Sequence, residues 1–202
     1  MSTVYQYNRR TGKHEVVAHD NPLCAEILQL DGQPVYVAGR SVRSKAFLTR
    51  PADTTQYTAD DALTDALGIP LEFTGCGRLP GGSGLIVDVI ARSSANQLAT
   101  ASPTQELHIF IRKPTATADN SEWAPTDDDM NNWIGCVALN SWKNGNKTAG
   151  AGGNSMVRAG QVNLIYVCAP DITSLWGLVV ERGTYTPVAS ERFSYELGLA
   201  LD

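Results

Sequence analysis

The stretch FSYELGLAL, residues 193–201, decides the fold class, because bulky apolar residues alternate with polar or small ones along its length. Successive side chains of a β-strand point to opposite faces of the sheet, so the bulky residues share one face. They are Phe193, Tyr195, Leu197, Leu199 and Leu201. The pattern predicts a strand with one buried face.

Other segments show strand patterns, and prolines separate them or stand at their ends, where a missing N–H costs no ladder hydrogen bond. Some are apolar at nearly every position, which is typical of strands inside a sandwich: 134–139, 162–168 and 175–180. The others are 42–48, 70–74, 85–91 and 107–112.

Alternation within these segments predicts which residues face the core. One face of the segment 85–91 should hold Leu85, Val87, Val89 and Ala91. His108 alternates with Leu107 and Ile109, so it is predicted to be the outward residue of its strand.

About eight short strands, polar turns and no βαβ rhythm predict an all-β fold. The best match is an antiparallel β-sandwich, jelly-roll-like, with an N-terminal arm. Two short helices are predicted as well. Thr126 can cap a helical turn that ends at Asn132, with three aspartates at its positive end. The second helix is predicted over Ala59–Leu67.

Two regions differ in pattern, and they divide the chain into residues 1–40 and 41–202. The first is an arm or extension with weak alternation, and the second is the sandwich. Residues 1–14 carry basic side chains and no acid, although the whole chain of 202 residues has a formal net charge of −5. We therefore expect the arm to contact a partner through Arg9, Arg10, Lys13 and His14.

Composition excludes several classes of protein. Charged residues make up 18% of the chain, and Gly (18) and Pro (10) are frequent, which argues against a helical bundle, a coiled coil or a disordered chain. The acidic balance disfavours nucleic-acid binding. No segment approaches the roughly 18 apolar residues of a membrane span, and the polar start does not resemble a signal peptide. We expect no nucleic acid and no membrane among the partners, and folding in the cytoplasm with reduced thiols.

Local signals for catalysis and cofactor binding are missing. The histidines show no metal-binding spacing, the cysteines form no CxxC pair, and neither a GxSxG elbow nor a phosphate loop is present. The sequence therefore predicts no enzyme, no metal and no cofactor, although paired carboxylates distant in sequence would leave no local trace. Cys136 and Cys168 lie in apolar runs and are predicted as small buried residues, with a disulfide between them left open.

The tryptophans offer a second kind of site. Trp176 lies in an apolar run and is predicted in the core. Trp123, Trp133 and Trp142 fall in loop-rich sequence, where anchoring of loops or contact with another subunit is favoured over a sugar-binding platform.

An ordered set of short motifs runs through the second region: RPADTTQY (50–57), PLEF (70–73), GGSGLI (81–86), LHIFIR (107–112), DNSEWAPTD (119–127), WIG (133–135), LWGLVV (175–180) and YTP (185–187). This order resembles a family of tailed-bacteriophage virion proteins, described as structural, head or decoration proteins. The resemblance covers residues 41–202 and leaves out the arm. It implies a non-enzymatic β-sandwich on the virion that binds the capsid exterior, cements major capsid protein subunits and acts as a homodimer or homotrimer.

Three alternatives stay open. A carbohydrate- or receptor-binding sandwich, on a virion tail or head fibre or elsewhere, would need exposed Trp123, Trp133 or Trp142 lining a groove. A trimeric jelly roll of the complement and tumour-necrosis-factor shape would suit the aromatic last strand, but the sequence shows no secretion signal. An enzyme would need a pocket of clustered carboxylates, or His108 beside a nucleophile.

Overall fold

Strand pairing organises the chain throughout the residues that the structure describes. In this computed structural model they are 5–8, 13–16, 40–95, 103–145 and 154–202. The chain divides into two units, Met1–Ala38 and Gly39–Asp202. In the first unit, strands β1 (Tyr5–Asn8) and β2 (Lys13–Val16) form an antiparallel pair.

The second unit is a sandwich of two antiparallel sheets. Its elements are β3 (Arg40–Thr49), β4 (Ala62–Leu63), β5 (Leu71–Phe73), β6 (Ser83–Ser93), β7 (Gln105–Phe110), α1 (Asp127–Asn131), β8 (Trp133–Leu139), β9 (Lys143–Asn144), β10 (Ser155–Val167), β11 (Leu175–Glu181) and β12 (Arg192–Leu201). Every predicted strand is present. The additional strands are the short β4 and β9, and the first half of β10 was also missed.

The strand order identifies the sandwich as a jelly roll. The first sheet has the order β3-β12-β6-β10-β9, and the second has the order β4-β11-β7-β8, with β5 also paired to β11. The pairs are nested: β3 with β12, β4 and β5 with β11, β6 with β10, and β7 with β8. One long antiparallel ribbon, rolled up so that β12 meets β6 and β11 meets β7, gives this arrangement. The predicted all-β, jelly-roll-like sandwich is confirmed.

The core lies between the inward faces of the two sheets. In β12, all five alternating residues from Phe193 to Leu201 are buried, as the opening stretch predicts. In β3, Ser44, Ala46 and Leu48 are buried while the residues between them are exposed. A period of two therefore predicts the inward face wherever a strand is regular.

The prediction for the face of 85–91 is half wrong. Val89 and Ala91 face the core, but Ile86 is buried and Val87 is 41% exposed. The cause is a β-bulge, because Gly198 of β12 pairs with Asp88 while the next residue, Leu199, pairs with Ile86. One extra residue exchanges the two faces of the strand beyond that point.

Two strands that were predicted to be buried on both faces alternate instead. In β10, Ile165 is 78% exposed and Val167 is also exposed. In β8, Val137 and Leu139 are buried but Cys136 is exposed. Apolar sequence on an outer face is therefore not evidence that the face is covered. Of the three strands predicted to be buried on both faces, β11 alone is buried along nearly its whole length.

The predicted helix at Thr126–Asn132 is confirmed, and the one at Ala59–Leu67 is wrong. α1 begins after Thr126, which forms a capping box with Asp129. The second segment contains β4, where Ala62 and Leu63 pair with Val180 and Val179 of β11. Both residues of β4 are buried, one on each side of the sheet.

Among the described residues, the helix α1 is only five residues long. None of their helices has the length and apolar character needed to cross a membrane.

Candidate functional site

The predicted partner-binding residues lie in the first unit. Arg9 and Arg10 fall outside the described residues. Lys13 and His14 belong to β2, where they pair with Asn8 and Tyr7 of β1. Their role in partner binding stays a prediction.

The outward face of the first sheet spans four long strands of the second unit, and we call it the grid. Strand register arranges its residues in four rows across β3, β12, β6 and β10. The rows are Phe47-Ser194-Arg92-Met156, Lys45-Glu196-Ile90-Arg158, Arg43-Gly198-Asp88-Gly160 and Ser41-Ala200-Leu85-Ile165. Side chains in one row are cross-strand neighbours, so the grid presents a defined pattern of chemistry.

The middle of the grid is an ion-pair network. Asp88 is nearly buried and receives Arg43 Nη2 at 3.2 Å and Arg158 Nη2 at 2.7 Å. Glu196 receives Arg43 Nη1 at 3.2 Å and Arg92 Nη1 at 3.0 Å. The hydrogen bond to Asp88 raises the pKa of Arg43. These arginine side chains are 40–65% exposed, so the network adds little to stability and mainly fixes where the charges lie.

The ends of the grid are apolar and exposed. Phe47 and Met156 mark one end, and Lys45 Nζ lies 4.9 Å from the centre of the Phe47 ring. Ile165, Val167 and the bulge residue Val87 mark the other. Grouped exposed apolar side chains on a sheet face are typical of surfaces that bind a partner.

The outward face of the second sheet is closed by contrast. Ala62, Phe110, Leu178 and Val180 form a second apolar cluster there, with Trp123 and Trp176 packed against it. Trp176 packs against this outer cluster and is partly buried. The sequence prediction that Trp176 lies in the core is therefore wrong. The two sheets differ in what covers them, so the grid is the open side of the sandwich among the described residues.

His108 lies on this closed face and is buried, although it was predicted as a simple outward residue. The Trp123 ring covers it with a centroid distance of 4.2 Å, and the Trp133 ring lies at 6.2 Å. Burial lowers the pKa of His108 to about 4. Its Nε2 is 3.4 Å from a Glu106 carboxylate oxygen and 3.3 Å from a guanidinium nitrogen of Arg182.

The loop tryptophans do not form one platform. Trp142 packs against the main core and donates its indole N–H to the Leu139 carbonyl at 2.9 Å. Trp123 and Trp133 flank His108 instead, and Trp133 is the exposed ring of the three. Anchoring of loops accounts for Trp123 and Trp142, and a sugar-binding role stays an open alternative.

The cysteines of the described residues are unpaired. Cys76 and Cys168 are buried and Cys136 is exposed, so the predicted burial is confirmed for Cys168 and wrong for Cys136. The disulfide between Cys136 and Cys168 is not formed. Burial raises the pKa of the Cys76 thiol to about 12, which keeps it protonated and unreactive at neutral pH.

A buried polar network at one end of the sandwich left no signal in the sequence. Tyr195 Oη donates to Gln105 Oε1 at 3.0 Å, and Gln105 Nε2 donates to Glu181 Oε1 at 2.8 Å. Glu191, four residues before Tyr195 in the chain, accepts hydrogen bonds from the Tyr185 and Ser93 hydroxyl groups. These residues come from five separate segments, so only the fold brings them together.

Arg50 is the centre of a second buried polar cluster, which lies between two loops. Its side chain is fully buried, donates to Asp119 at 2.8 Å and contacts the Tyr57 hydroxyl. Asp119 also accepts from Tyr57 Oη at 2.6 Å and from the Thr64 N–H at 2.9 Å. Because every charge has a partner, the cluster ties the loops 50–64 and 119–121 together rather than offering a free reactive group.

Comparisons with known proteins add little to this picture. No protein family and no curated protein matches the chain. A chain of the cyanophage Pam1 capsid asymmetric unit is 13% identical, with a TM-score of 0.34 over 91% of this chain and 100% of that one. A chain of Desmodium yellow mottle tymovirus is 11% identical, with a TM-score of 0.29 over 87% and 94%. Both scores are too low to carry an inference, so the fold rests on the strand order.

Proposed function

We propose that this protein is a non-enzymatic structural protein of a virus particle that binds and stabilises the capsid exterior as a decoration or cement protein. The observation that carries the proposal is the grid, an open sheet face with fixed charges at its centre and exposed apolar residues at its ends. The jelly roll is a common scaffold of virus particles. The ordered motifs of residues 50–187 point to phage virion proteins.

The chemistry of the grid favours an acidic partner surface with apolar patches. Across its four rows, two carboxylates stand against four cations: Arg43, Lys45, Arg92 and Arg158. This surplus of positive charge lies on a chain whose net charge is −5. We assign the major capsid protein as the occupant, and opposite charge would orient the two proteins as they meet.

The size of the grid explains why the proposal includes an oligomer. Four strands at about 4.8 Å and four rows at about 6.8 Å give roughly 500 Å². A standard interface buries about 800 Å² per partner, so one grid alone would bind weakly. A homodimer or homotrimer on a symmetric capsid would raise the avidity, and the basic arm would add contacts.

Co-sedimentation with undecorated capsids tests the grid. Ile165→Glu places a negative charge in the most exposed apolar position of the grid, against a partner surface that is expected to be acidic, and should weaken binding by at least about tenfold. The matched control is Leu67→Glu, because Leu67 is 75% exposed, against 78% for Ile165, and lies in the turn after β4, outside the four rows of the grid. Equal binding of both variants and the unmodified protein would overturn the assignment of the grid.

The arm is tested separately. Deletion of residues 1–36, and alanine substitution of Arg9, Arg10 and Lys13, should each weaken capsid binding and reduce its dependence on salt. Binding that is unchanged by both would remove the arm from the proposal and leave the grid as the contact surface.

A further inference from the structure

Three side chains with metal-binding donors meet on the closed face of the second sheet. Glu106 and His108 are two residues apart on β7 and therefore share a face. Cys136 of β8 lies directly opposite His108 in the register. A carboxylate oxygen, an imidazole nitrogen and the thiol sulfur of these residues lie within 4.8 Å of one another.

His108 is the buried donor of this cluster. The side chain is more than nine-tenths buried, and its Nδ1 has no hydrogen-bond partner among the described residues. The other ring nitrogen, Nε2, is the one that lies beside the cluster, 3.4 Å from a Glu106 carboxylate oxygen. The rings of Trp123 and Trp133 hold the imidazole in place beside the two other donors.

We propose that Glu106, His108 and Cys136 form a binding site for a late first-row divalent cation, with Zn²⁺ as the best fit. Imidazole, carboxylate and thiolate are the three donor classes that Zn²⁺ uses in proteins, and a sulfur donor disfavours Mg²⁺ and Ca²⁺. Three protein ligands leave the fourth tetrahedral position for water or for a group from a partner. Cys136 binds as thiolate, and its proton passes to the buffer.

Arg182 is paired with Glu106 and would have to release this carboxylate before Glu106 could bind a metal ion. Its Nε donates to Glu106 at 2.8 Å, and the same guanidinium also pairs with Asp60. A cation at the site would repel the guanidinium. Asp60 can keep Arg182 when Glu106 turns to the metal, so binding exchanges one ion pair and leaves no buried charge without a partner.

The sequence could not reveal this site. The spacing between Glu106 and His108 is common in strands, and Cys136 joins them only through strand pairing. Metal-binding motifs are recognised in a sequence by the short spacing between their ligands. The absence of such motifs therefore argues against a metal site only where the ligands lie close together in the chain.

Metal titration of the full, untagged chain tests the proposal. After treatment with a chelator, Zn²⁺ should bind at one equivalent with a sub-micromolar Kd in competition with a coloured chelator. Cys136→Ser should weaken binding by at least about tenfold. With Co²⁺ in place of Zn²⁺, the unmodified protein should show a thiolate-to-cobalt absorption band that this variant lacks.

The controls separate this cluster from other donors of the chain. Cys24→Ser and Cys168→Ala should bind Zn²⁺ like the unmodified protein. Because Cys136 is exposed, its serine variant should fold normally, which circular dichroism would verify. Absence of saturable binding, or equal binding by Cys136→Ser and the unmodified protein, would overturn the proposal. Capsid binding is measured separately, so either proposal can fail alone.

Discussion

Glu181 shows how one buried carboxyl group affects the whole fold. It lies on the inward face of β11, where it accepts hydrogen bonds from Gln105 at 2.8 Å and from the Thr104 N–H at 3.2 Å. Burial is the main cause that raises its pKa to about 8, and the nearby charge of Glu191 acts in the same direction. The folded protein therefore holds this proton more tightly than the unfolded chain does.

Stability should fall as pH rises through the range set by Glu181. Between the ordinary pKa of 4.5 and about 8, the unfolded chain is ionised at this residue while the folded protein is protonated. The free energy of unfolding should therefore decrease across this range, by a few kcal/mol at most, and level off above it. Glu181→Gln should remove this slope in urea unfolding at pH 5, 7 and 9.

The control for this prediction is Glu72→Gln, because Glu72 is exposed on β5. It should keep the pH dependence of the unmodified protein. A Glu181→Gln variant with the same slope as the unmodified protein would show that Glu181 is ionised in the folded state at neutral pH.

Two glycines lie on either side of Asp88 in the grid, and we expect their alanine substitutions to differ in their effect on stability. A Cβ on Gly198 would overlap Asp88 Oδ1, whereas a Cβ on Gly160 would meet nothing within 4 Å. Gly198→Ala should force Asp88 away from its arginines and cost about 1–3 kcal/mol of unfolding free energy. Gly160→Ala should change it by less than about 0.5 kcal/mol. Thermal unfolding of both variants gives the comparison, and equal midpoints would contradict it.

At the scale of elements, α1 is stabilised by a local motif that the sequence already shows. The Asp129 N–H donates to Thr126 Oγ1 at 3.2 Å, and the Thr126 N–H donates back to Asp129 at 2.9 Å. Thr126→Ala should cost about 1 kcal/mol, which for a chain of this size lowers Tm by roughly 2–4 °C. Thr126→Ser keeps the hydroxyl and should melt like the unmodified protein. An unchanged Tm for the alanine variant would contradict a stabilising role of the Thr126 hydroxyl. The hydrogen bond from the Thr115 N–H to Asp129, at 2.8 Å, would then be enough to hold the start of α1.

Elements without local motifs were harder to predict. The bulge in β6 has no signature in residues 83–93, because it arises from matching β6 to both β12 and β10. β4 is only two residues long and is a strand because β11 offers it a partner. Pairing across the sheet overrides local preference at both places.

At the scale of the whole molecule, the nested pairing predicts a slow folding reaction. β3 and β12 are neighbours in the first sheet although they stand at opposite ends of the second unit. Closing such long loops costs entropy before contacts form, so refolding after dilution from urea should take milliseconds to seconds or longer. Stopped-flow fluorescence measures this, and a microsecond phase with full amplitude would contradict the prediction.

The two units also predict what a truncated chain should do. Residues 39–202 alone should fold with the β-sheet circular dichroism of the sandwich, since this unit contains both sheets. Removal of residues 192–202 should abolish folding, because β12 pairs on both sides within the first sheet. A folded product without β12, or an unfolded 39–202 fragment, would contradict the topology.

The sequence by itself determined the all-β class, the positions of the main strands, the cap of α1 and the inward face of regular strands such as β12. Each of these depends on residues close together in the chain, through period-two alternation or a four-residue motif. Only the tertiary structure decided the jelly-roll order, the exchange of faces at Val87, and the exposure of Ile165 and Cys136. It also brought together the grid, the Glu181 network and the three donors around His108. Those features require contacts between distant segments, and the chain makes such contacts only when the ribbon rolls up.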